Sequence, residues 1–402
     1  MSSLPEPPAA ADFERLVFGG DESGSRDGAH PINYGVLPGS SRVHALVPIE
    51  RRHRKAAATS LRRRTNQTPR REVAVRTLLA GASAVGLLAP LLRQRRQIAR
   101  PAVGSVAAWI AATLGRDDVV LVGGTGSARP NAKPVLEVLA PDGAVLAWAK
   151  VGWNNLTRRL VVDEFDAVSR YYGRRPDVMI PEPLARTDAD GYTVVMFGAL
   201  DTWSHPWRRA RPLSPAQFRA IAELGGEMQL ARPVDSRWLS VQATRVAAVV
   251  GDPDRSRRLL SLVDYLAANC SHPIEFGILH GDLVPWNILT SPTRVSVWDW
   301  ERSRDHMPFG LDVIHYTVQE ASRGNPSALW ASLADRPAIF GALRATGIPD
   351  VAQQFTLAAY LLEMELRFEQ DRRMVEFEGL DALCATYRRA LDMVSAEIGF
   401  HT

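Results

Sequence analysis

The fold is decided by residues 278–289, with the sequence ILHGDLVPWNIL, and residues 295–301, with the sequence VSVWDWE. Each of these two apolar segments carries a carboxylate, Asp282 in the first and Asp299 in the second, and Asn287 lies between them. The spacing predicts a loop that turns back on itself, flanked by two short strands that bring the three side chains together.

These three side chains match the needs of phosphoryl transfer. An aspartate that accepts a hydroxyl proton, beside an asparagine and a second aspartate that hold Mg²⁺, can move the γ-phosphoryl group of ATP to an alcohol. Separately, each piece has an ordinary interpretation, because His-Gly-Asp favours turns and an aspartate after a strand often caps a helix. Their occurrence together, in this order and at this spacing, favours function.

With these motifs the chain resembles the protein-kinase-like superfamily, in its aminoglycoside and choline kinase branch, over residues 113–402. The resemblance implies an α+β class and a bilobal protein-kinase-like fold, with a small antiparallel-sheet N-lobe and a mostly helical C-lobe. It also implies ATP and Mg²⁺ as cofactors. The implied catalytic residues are Asp282 and His280, with His280 shaping the loop, and the implied metal ligands are Asn287 and Asp299.

The chain has few lysines, and their positions help to identify a phosphate-binding residue. Among 48 basic residues, the lysines are Lys55, Lys133 and Lys150. In kinases a strand-borne lysine contacts the α- and β-phosphates as a compact charge, and a guanidinium fits that slot poorly. Lys150 ends a hairpin predicted over residues 134–150, so we assign it to the phosphates. Lys133, at a strand start typical of solvated side chains, is the alternative.

A helix is predicted over residues 157–172, because apolar residues recur there at helical spacing. Glu164 falls on its apolar face, between Val161 and Val168. A buried carboxylate is costly unless it is paired, so we predict Lys150 as its partner. In the alternative, Glu164 lies at the edge of the apolar stripe and reaches water.

Two further segments would bind the nucleotide. An apolar strand over residues 119–122 runs into a glycine-rich turn, which suits either a loop over the phosphates or an ordinary loop. The residues of this turn are Gly123, Gly124, Gly126 and Ser127. The resemblance also implies a hinge at the end of the apolar segment 191–198, where adenine would bind the backbone of Met196 to Gly198.

Composition is typical of a globular protein, with 46% hydrophobic and 23% charged residues. The two cysteines, Cys270 and Cys384, lack zinc-site spacing, and the N-terminal segment lacks the features of a secretory signal, so we predict reduced thiols and a cytoplasmic location. The predicted regions are a basic extension over 1–112, an N-lobe over 113–198 and a C-lobe over 199–402.

The extension is the part that the sequence specifies least. Residues 20–30 are predicted to be mobile, and short apolar runs over 34–38 and 43–48 predict a hairpin. Arginines crowd residues 51–100 around the apolar run 78–92, which is too short to span a membrane. We expect that run to be helical and docked on the protein, with a basic rim left for weak contact with an anionic membrane. Insertion into a membrane surface is the alternative, and no nucleic acid partner is expected.

The predicted acceptor is the hydroxyl of a small molecule, either an aminoglycoside, an amino alcohol or a sugar. Acidic residues over 363–381 would suit a cationic acceptor, although a solvated helix face is the preferred interpretation of that segment. Two other functions stay open, namely an inactive nucleotide-binding scaffold and a protein kinase. The latter is disfavoured because Gly281 stands where protein kinases carry arginine. Asp312, early in a later helix, is predicted to be structural.

Overall fold

The computed structural model describes residues 10–19, 32–38, 44–62, 70–92, 95–98, 102–124, 129–189, 191–200, 212–323 and 325–400. Its strands are β1 (Ile32–Pro38), β2 (His44–Pro48), β3 (Arg95–Ile98), β4 (Val120–Gly124), β5 (Val135–Leu139), β6 (Val145–Gly152), β7 (Val178–Met179), β8 (Pro183–Ala189), β9 (Tyr192–Gly198), β10 (Gln229–Ala231), β11 (Ile274–Leu279), β12 (Ile288–Thr290), β13 (Val295–Val297) and β14 (Arg304–Pro308). Its helices are α1 (Ala10–Phe18), α2 (Arg54–Arg62), α3 (Arg70–Ala84), α4 (Leu88–Leu91), α5 (Val106–Leu114), α6 (Asn155–Tyr171), α7 (Pro215–Ala222), α8 (Arg237–Ser240), α9 (Gln242–Val249), α10 (Pro253–Asn269), α11 (Leu311–Ser322), α12 (Pro326–Ala334), α13 (Arg336–Ala345), α14 (Asp350–Met374) and α15 (Glu378–Glu397). The predictions for residues 20–30, Gly126 and Ser127 fall outside this described part.

The predicted α+β class is confirmed. The chain forms two compact units, one of Met1–Val162 with Pro181–Ala199 and one of Asp163–Ile180 with Leu200–Thr402. The first unit is built on an antiparallel sheet, and the second is mostly helical.

The sheet of the first unit has eight strands in the order β3-β1-β2-β4-β5-β6-β9-β8, each antiparallel to its neighbours. The hairpin predicted over 34–48 is present as β1 and β2, with Val36 opposite Leu46. Strand β2 then pairs with β4. Three strands from the first 112 residues therefore extend the predicted N-lobe sheet, which is larger than expected.

Both faces of this sheet are covered by helices, and successive residues of a strand contribute alternately to the two faces. On one face, α1 and α5 pack on a core that includes Leu46, Val138 and Ala149. On the other face, α2, α3 and α4 pack on Val120 and Val122. The N-terminal helices thus supply the hydrophobic cover for strands on both sides.

The apolar run 78–92 is helical except at a turn around Gly86, where φ is 77°. One face is docked, since Leu88 and Leu92 are buried in the core beneath α3 and α4. The other face is exposed, with Leu78 at 74% and Leu91 at 57%. In the part of the chain that the structure describes, no helix combines the length and apolarity needed to cross a bilayer.

The second unit carries two small sheets, β10-β11-β14 and β12-β13-β7. Strand β11 alternates buried and half-buried residues and leads directly into the loop that begins at His280. The predicted pair of short strands beyond this loop is present as the antiparallel hairpin of β12 and β13, with Ile288 opposite Val297. The loop of interest is thus held between two sheets.

Candidate active site

The loop between β11 and β12 is anchored by a helix that follows it in sequence. The backbone N–H groups of His280 and Gly281 donate to the two carboxylate oxygens of Asp312, at 2.7 and 2.9 Å. Burial raises the pKa of Asp312 to about 7. The two hydrogen bonds act in the opposite direction and lower this pKa, but burial has the larger effect. The structural role predicted for Asp312 is therefore confirmed.

Gly281 occupies a position that only glycine fills without strain. Its φ is 81°, in the left-handed region. A Cβ atom there would lie 2.4 Å from the carbonyl oxygen of Arg302. Protein kinases carry arginine at this position. Here a side chain is disfavoured because the backbone of Arg302, beyond β13, lies close to Gly281.

His280 shapes the loop, as predicted. Its Nε2 lies 3.1 Å from the carbonyl oxygen of Trp298, and its Nδ1 accepts from the backbone N–H of Asp282 at 3.2 Å. The ring also meets Trp300 edge-on, with centroids 4.5 Å apart. Complete burial lowers the pKa of His280 to about 4, so the imidazole is neutral near pH 7. A neutral ring with both nitrogens engaged positions Asp282 and does not act as a base.

Asp282 is surrounded by polar groups. Its carboxylate accepts from Asn287 Nδ2 at 3.2 Å, and its Oδ1 lies 3.4 Å from His315 Nε2 and 3.7 Å from Arg367 Nη2. Burial alone would raise the pKa of Asp282, but His315 and the charge of Arg367 outweigh burial and hold that pKa well below its usual range. The carboxylate is one quarter exposed, so it can accept a hydrogen bond from a ligand hydroxyl.

Asn287 is fixed with its amide nitrogen towards the aspartate. Nδ2 donates both to the carbonyl oxygen of Asp282, at 3.0 Å, and to its carboxylate. The backbone N–H of Trp298 donates to the Asn287 carbonyl at 3.1 Å and ties the loop to the hairpin. Since the nitrogen faces Asp282, the amide oxygen faces away, and oxygen is the ligand atom that Mg²⁺ prefers.

Three carboxylates gather in the same unit. Glu164, Asp299 and Glu301 each offer an oxygen within 4.8 Å of the other two, and Glu164 and Glu301 are buried. Asp299 has a left-handed backbone, with φ 72°. Buried carboxylates at this separation repel one another unless a cation is shared among them. The donor set therefore fits a hard cation such as Mg²⁺.

Helix α6 confirms the predicted placement of Glu164 on a buried face. Glu164 is 1% exposed and lies between the buried residues Val161 and Val168, whereas Asp163 and Asp166 are exposed. The alternative, in which Glu164 reaches water, is wrong. The start of the helix is fixed by Asn154, whose side chain accepts from the backbone N–H of Thr157 at 2.8 Å.

Within the first unit, Lys150 lies in line with the glycine-rich turn. Lys150 in β6 pairs with Val135 in β5, and Val135 pairs with Gly124 in β4. Directly paired residues share one face of a sheet, so Lys150 and Gly124 lie on the same face, two strands apart. Glycine at position 123 allows β4 and β5 to lie close together, because a Cβ atom there would lie 2.3 Å from the carbonyl oxygen of Val135.

Two details of the first unit correct the sequence interpretation. Lys133 is not solvated, as it is only 8% exposed. At the predicted hinge, Met196 is fully buried and the backbone N–H of Gly198 donates to the carbonyl of Glu182 at 2.8 Å. That N–H is therefore engaged within the sheet and not open to an adenine.

The acidic residues of α14 are neither a solvated face nor a free anionic wall. Those that point inwards are buried and paired with arginines, and they are Glu363, Glu365, Glu369 and Asp371. Glu376 and Asp381, beyond these, are exposed. The preferred sequence interpretation of this segment is therefore wrong at the four inner positions, and the acids there do not present free charge to a cationic acceptor.

Three residues at the site were not identified from the sequence. Glu301 was visible in the alternation Asp-Trp-Glu, which places two carboxylates on one side of an extended chain. His315 and Arg367 reach Asp282 from α11 and α14. Nothing near them in the sequence points to the loop.

Residues 156–322 match the model of the Phosphotransferase enzyme family. The matched segment contains the loop between β11 and β12, the three carboxylates and Asp312, and it begins after Lys150. It confirms the predicted resemblance and supports a phosphotransferase. A search of the curated proteins found no match.

Several solved structures can be superposed on the chain. A thermostable mutant of aminoglycoside phosphotransferase APH(4)-Ia is 12% identical, over 72% of this chain and 99% of that one, with a TM-score of 0.46. Choline kinase LicA from Streptococcus pneumoniae is 16% identical, over 72% and 96%, with a TM-score of 0.44. A protein described as a fructosamine-3-kinase, from Haemophilus somnus 129PT, is 10% identical over 72% of this chain and 97% of that one, with a TM-score of 0.41.

Proposed function

We propose that the protein is an ATP- and Mg²⁺-dependent kinase that phosphorylates a hydroxyl group of a small molecule. The observation that carries this proposal is the arrangement in the second unit. Asp282 is held as a carboxylate beside Asn287, and Glu164, Asp299 and Glu301 converge within 4.8 Å. The family match over the same segment supports it.

Each residue has a role in the proposed transfer. Asp282 orients the acceptor hydroxyl, whose oxygen forms a bond to the γ-phosphorus as the bond to the β–γ bridging oxygen breaks. ADP leaves with that electron pair, and the hydroxyl proton passes to Asp282. His280 and Asp312 hold the loop in place during this step.

The carboxylates and Asn287 would hold the metal. Mg²⁺ bound there would neutralise charge on the phosphates. Asn287 and Asp299 are the ligands that the motif implies, and Glu301 adds a third oxygen donor. Lys150 is the residue that the motif implies for the α- and β-phosphates, with Glu164 as its implied partner, and Gly123 and Gly124 belong to the turn implied to cover the phosphates.

The aspartate assignment predicts a specific loss. Asp282→Asn should reduce phosphoryl transfer from ATP about 10²–10⁴-fold, the usual contribution of a general base, while ATP binding changes less than about twofold. The measurement is Mg²⁺-dependent ADP formation with a panel of hydroxyl compounds, alongside nucleotide binding by calorimetry. Asp264→Asn, at an exposed position of α10, is the matched control.

The two alternatives give different results. An inactive scaffold would bind ATP without transfer to any compound, and a protein kinase would phosphorylate protein or peptide in preference to small molecules. Near wild-type transfer by the Asp282→Asn variant would remove the assignment of Asp282.

A further inference from the structure

Four arginines lie close enough to act electrostatically on one another, and one of them, Arg367, lies beside Asp282; together they are called the arginine cluster. Its members are Arg245, Arg302, Arg304 and Arg367. Arg367 donates to the carbonyl oxygen of Gly281 at 2.6 Å and lies 3.7 Å from Asp282. The cluster is thus continuous with the catalytic loop.

The carboxylates in contact with the cluster are already saturated. Both oxygens of Asp371 accept from Arg302, at 2.8 and 2.7 Å. Glu363 Oε1 accepts from Arg245 and from the indole of Trp238, and Oε2 accepts from Arg304 at 3.2 Å. Glu363 and Asp371 therefore cannot also balance Arg367.

The arginines of the cluster outnumber the carboxylates that pair with them directly. Four guanidinium groups form ion pairs with three carboxylates, Glu363, Asp371 and Asp282. Asp312 also acts on Arg367, but both of its carboxylate oxygens already accept backbone N–H groups of the loop. Glu301 faces Arg302, but it belongs to the carboxylates that would hold the metal.

Arg304 is the most exposed of the arginines that pair with Glu363 and Asp371. Burial and the charges of Arg245, Arg367 and Arg302 lower the pKa of Arg304 to about 10, although Glu363 acts to raise it. The side chain of Arg304 is nevertheless 35% exposed, so its guanidinium reaches solvent. A ligand anion there would relieve repulsion among the arginines.

Two donors of the cluster also lack acceptors. Nε of Arg302 and Nε of Arg367 are buried and have no hydrogen-bond partner among the described residues. A buried guanidinium donor without an acceptor is costly, and a carboxylate or phosphate oxygen is its best partner. Arg367 therefore combines a positive charge with a buried Nε–H that has no acceptor among the described residues, close to Asp282.

Resting on the proposed kinase function, we propose that the acceptor is a hydroxyl compound that bears an anionic group, a carboxylate or a phosphate. The anion binds Arg304 and Arg367, and this places the acceptor hydroxyl at Asp282. A cationic aminoglycoside or amino alcohol would instead be repelled by Arg304 and Arg367, while Glu363 and Asp371 of α14 are already paired with arginines.

Matched compounds test this charge preference. The hexose series is D-glucuronate, D-glucose 6-phosphate, D-glucose and D-glucosamine, and the three-carbon series is glycerate, glycerol 3-phosphate, glycerol and serinol. With ATP and Mg²⁺, at least one anionic member should have a kcat/KM at least about tenfold above its neutral partner, with the cationic partner poorest. The carboxylate and phosphate members distinguish the two anions.

Variants locate the preference in the cluster. Arg304→Gln should raise the KM for the anionic acceptor at least about tenfold, equivalent to about 1.4 kcal/mol, with the KM for ATP unchanged. Arg304→Lys should restore part of the loss. Arg257→Gln, whose side chain is 74% exposed on α10, should leave both KM values unchanged.

The results separate this inference from the proposed function. Best transfer to glucosamine or serinol, or no transfer to any of the four anions, would overturn the anionic acceptor. If transfer to glucose, glycerol or an amine persists in that case, the kinase proposal stands. Failure of the wild-type protein to bind ATP would remove both.

Discussion

At the scale of single residues, the site depends on backbone geometry as much as on charged groups. The position of Asp282 depends on the left-handed backbone of Gly281 just before it. The carboxylate of Asp312 fixes this bend by accepting the backbone N–H groups of His280 and Gly281. Asp282, Asn287 and Asp299 could be recognised from the sequence because one short stretch carries all three. His315 and Arg367 could not, since their approach depends on how α11 and α14 pack.

Gly281→Ala tests the bend. The left-handed φ costs an alanine about 1–2 kcal/mol, and its Cβ would meet the carbonyl of Arg302 at 2.4 Å, so the loop must shift. Because small displacements of a catalytic group can cost about 10²-fold in rate, kcat should fall by at least about that factor while ATP binding persists. Steady-state kinetics and calorimetry measure the two quantities.

Gly173→Ala is the matched control for that variant. Gly173 also has a left-handed φ, 70°, but nothing lies within 4 Å of a Cβ atom there. It should share the backbone cost and keep its kcat. Equal losses of kcat in the two variants would contradict a specific role for the bend at Gly281.

At the scale of elements, α14 shows what a local pattern leaves undetermined. Its alternation of acids and arginines resembles a solvated helix, yet Glu365 is fully buried and lies against Arg255 of α10. Helix length and type follow from local spacing, and α6 lies close to the helix that apolar periodicity predicts over residues 157–172. The partner of a buried charge comes from another helix and leaves no mark in the local sequence.

Arg255→Met tests the energetic weight of that pairing. Arg255 donates to both oxygens of Glu365 and also to Asp392 at 2.6 Å. Removing the guanidinium leaves Glu365 buried, with Arg388 at 3.5 Å as its remaining ion-pair partner among the described residues. Loss of one partner of a buried pair typically costs about 3–5 kcal/mol, so the free energy of unfolding from urea titration should fall by about that much.

Arg257→Met, on the same helix, is the comparison. Its contact with Asp254 is between side chains that are 74% and 86% exposed, and such pairs contribute little. The free energy of unfolding should change by less than about 0.5 kcal/mol. If the two arginine variants were equally stable, the buried pair would not hold α10 to α14.

At the scale of the whole molecule, the first 112 residues are part of the first unit's architecture. Their strands continue the sheet past β4, and their helices cover both of its faces. The hairpin within this region could be predicted from alternation and turn residues. The pairing of β2 with β4 could not, because it joins segments far apart in sequence and depends on which edge of the sheet is otherwise unpaired.

A pair of leucines tests whether this region is integral to the first unit. Leu46, 3% exposed, lies in β2 opposite Val36 of β1 and Gly123 of β4. Leu46→Ala should lower the free energy of unfolding by about 2–5 kcal/mol, as for other buried leucines. Leu78→Ala, at 74% exposure on α3, should change it by less than about 0.5 kcal/mol. Urea unfolding followed by tryptophan fluorescence measures both, because Trp109 and Trp148 lie in this unit. A stable Leu46→Ala protein would mean that residues 1–112 are an appendage to a sheet that holds together without them.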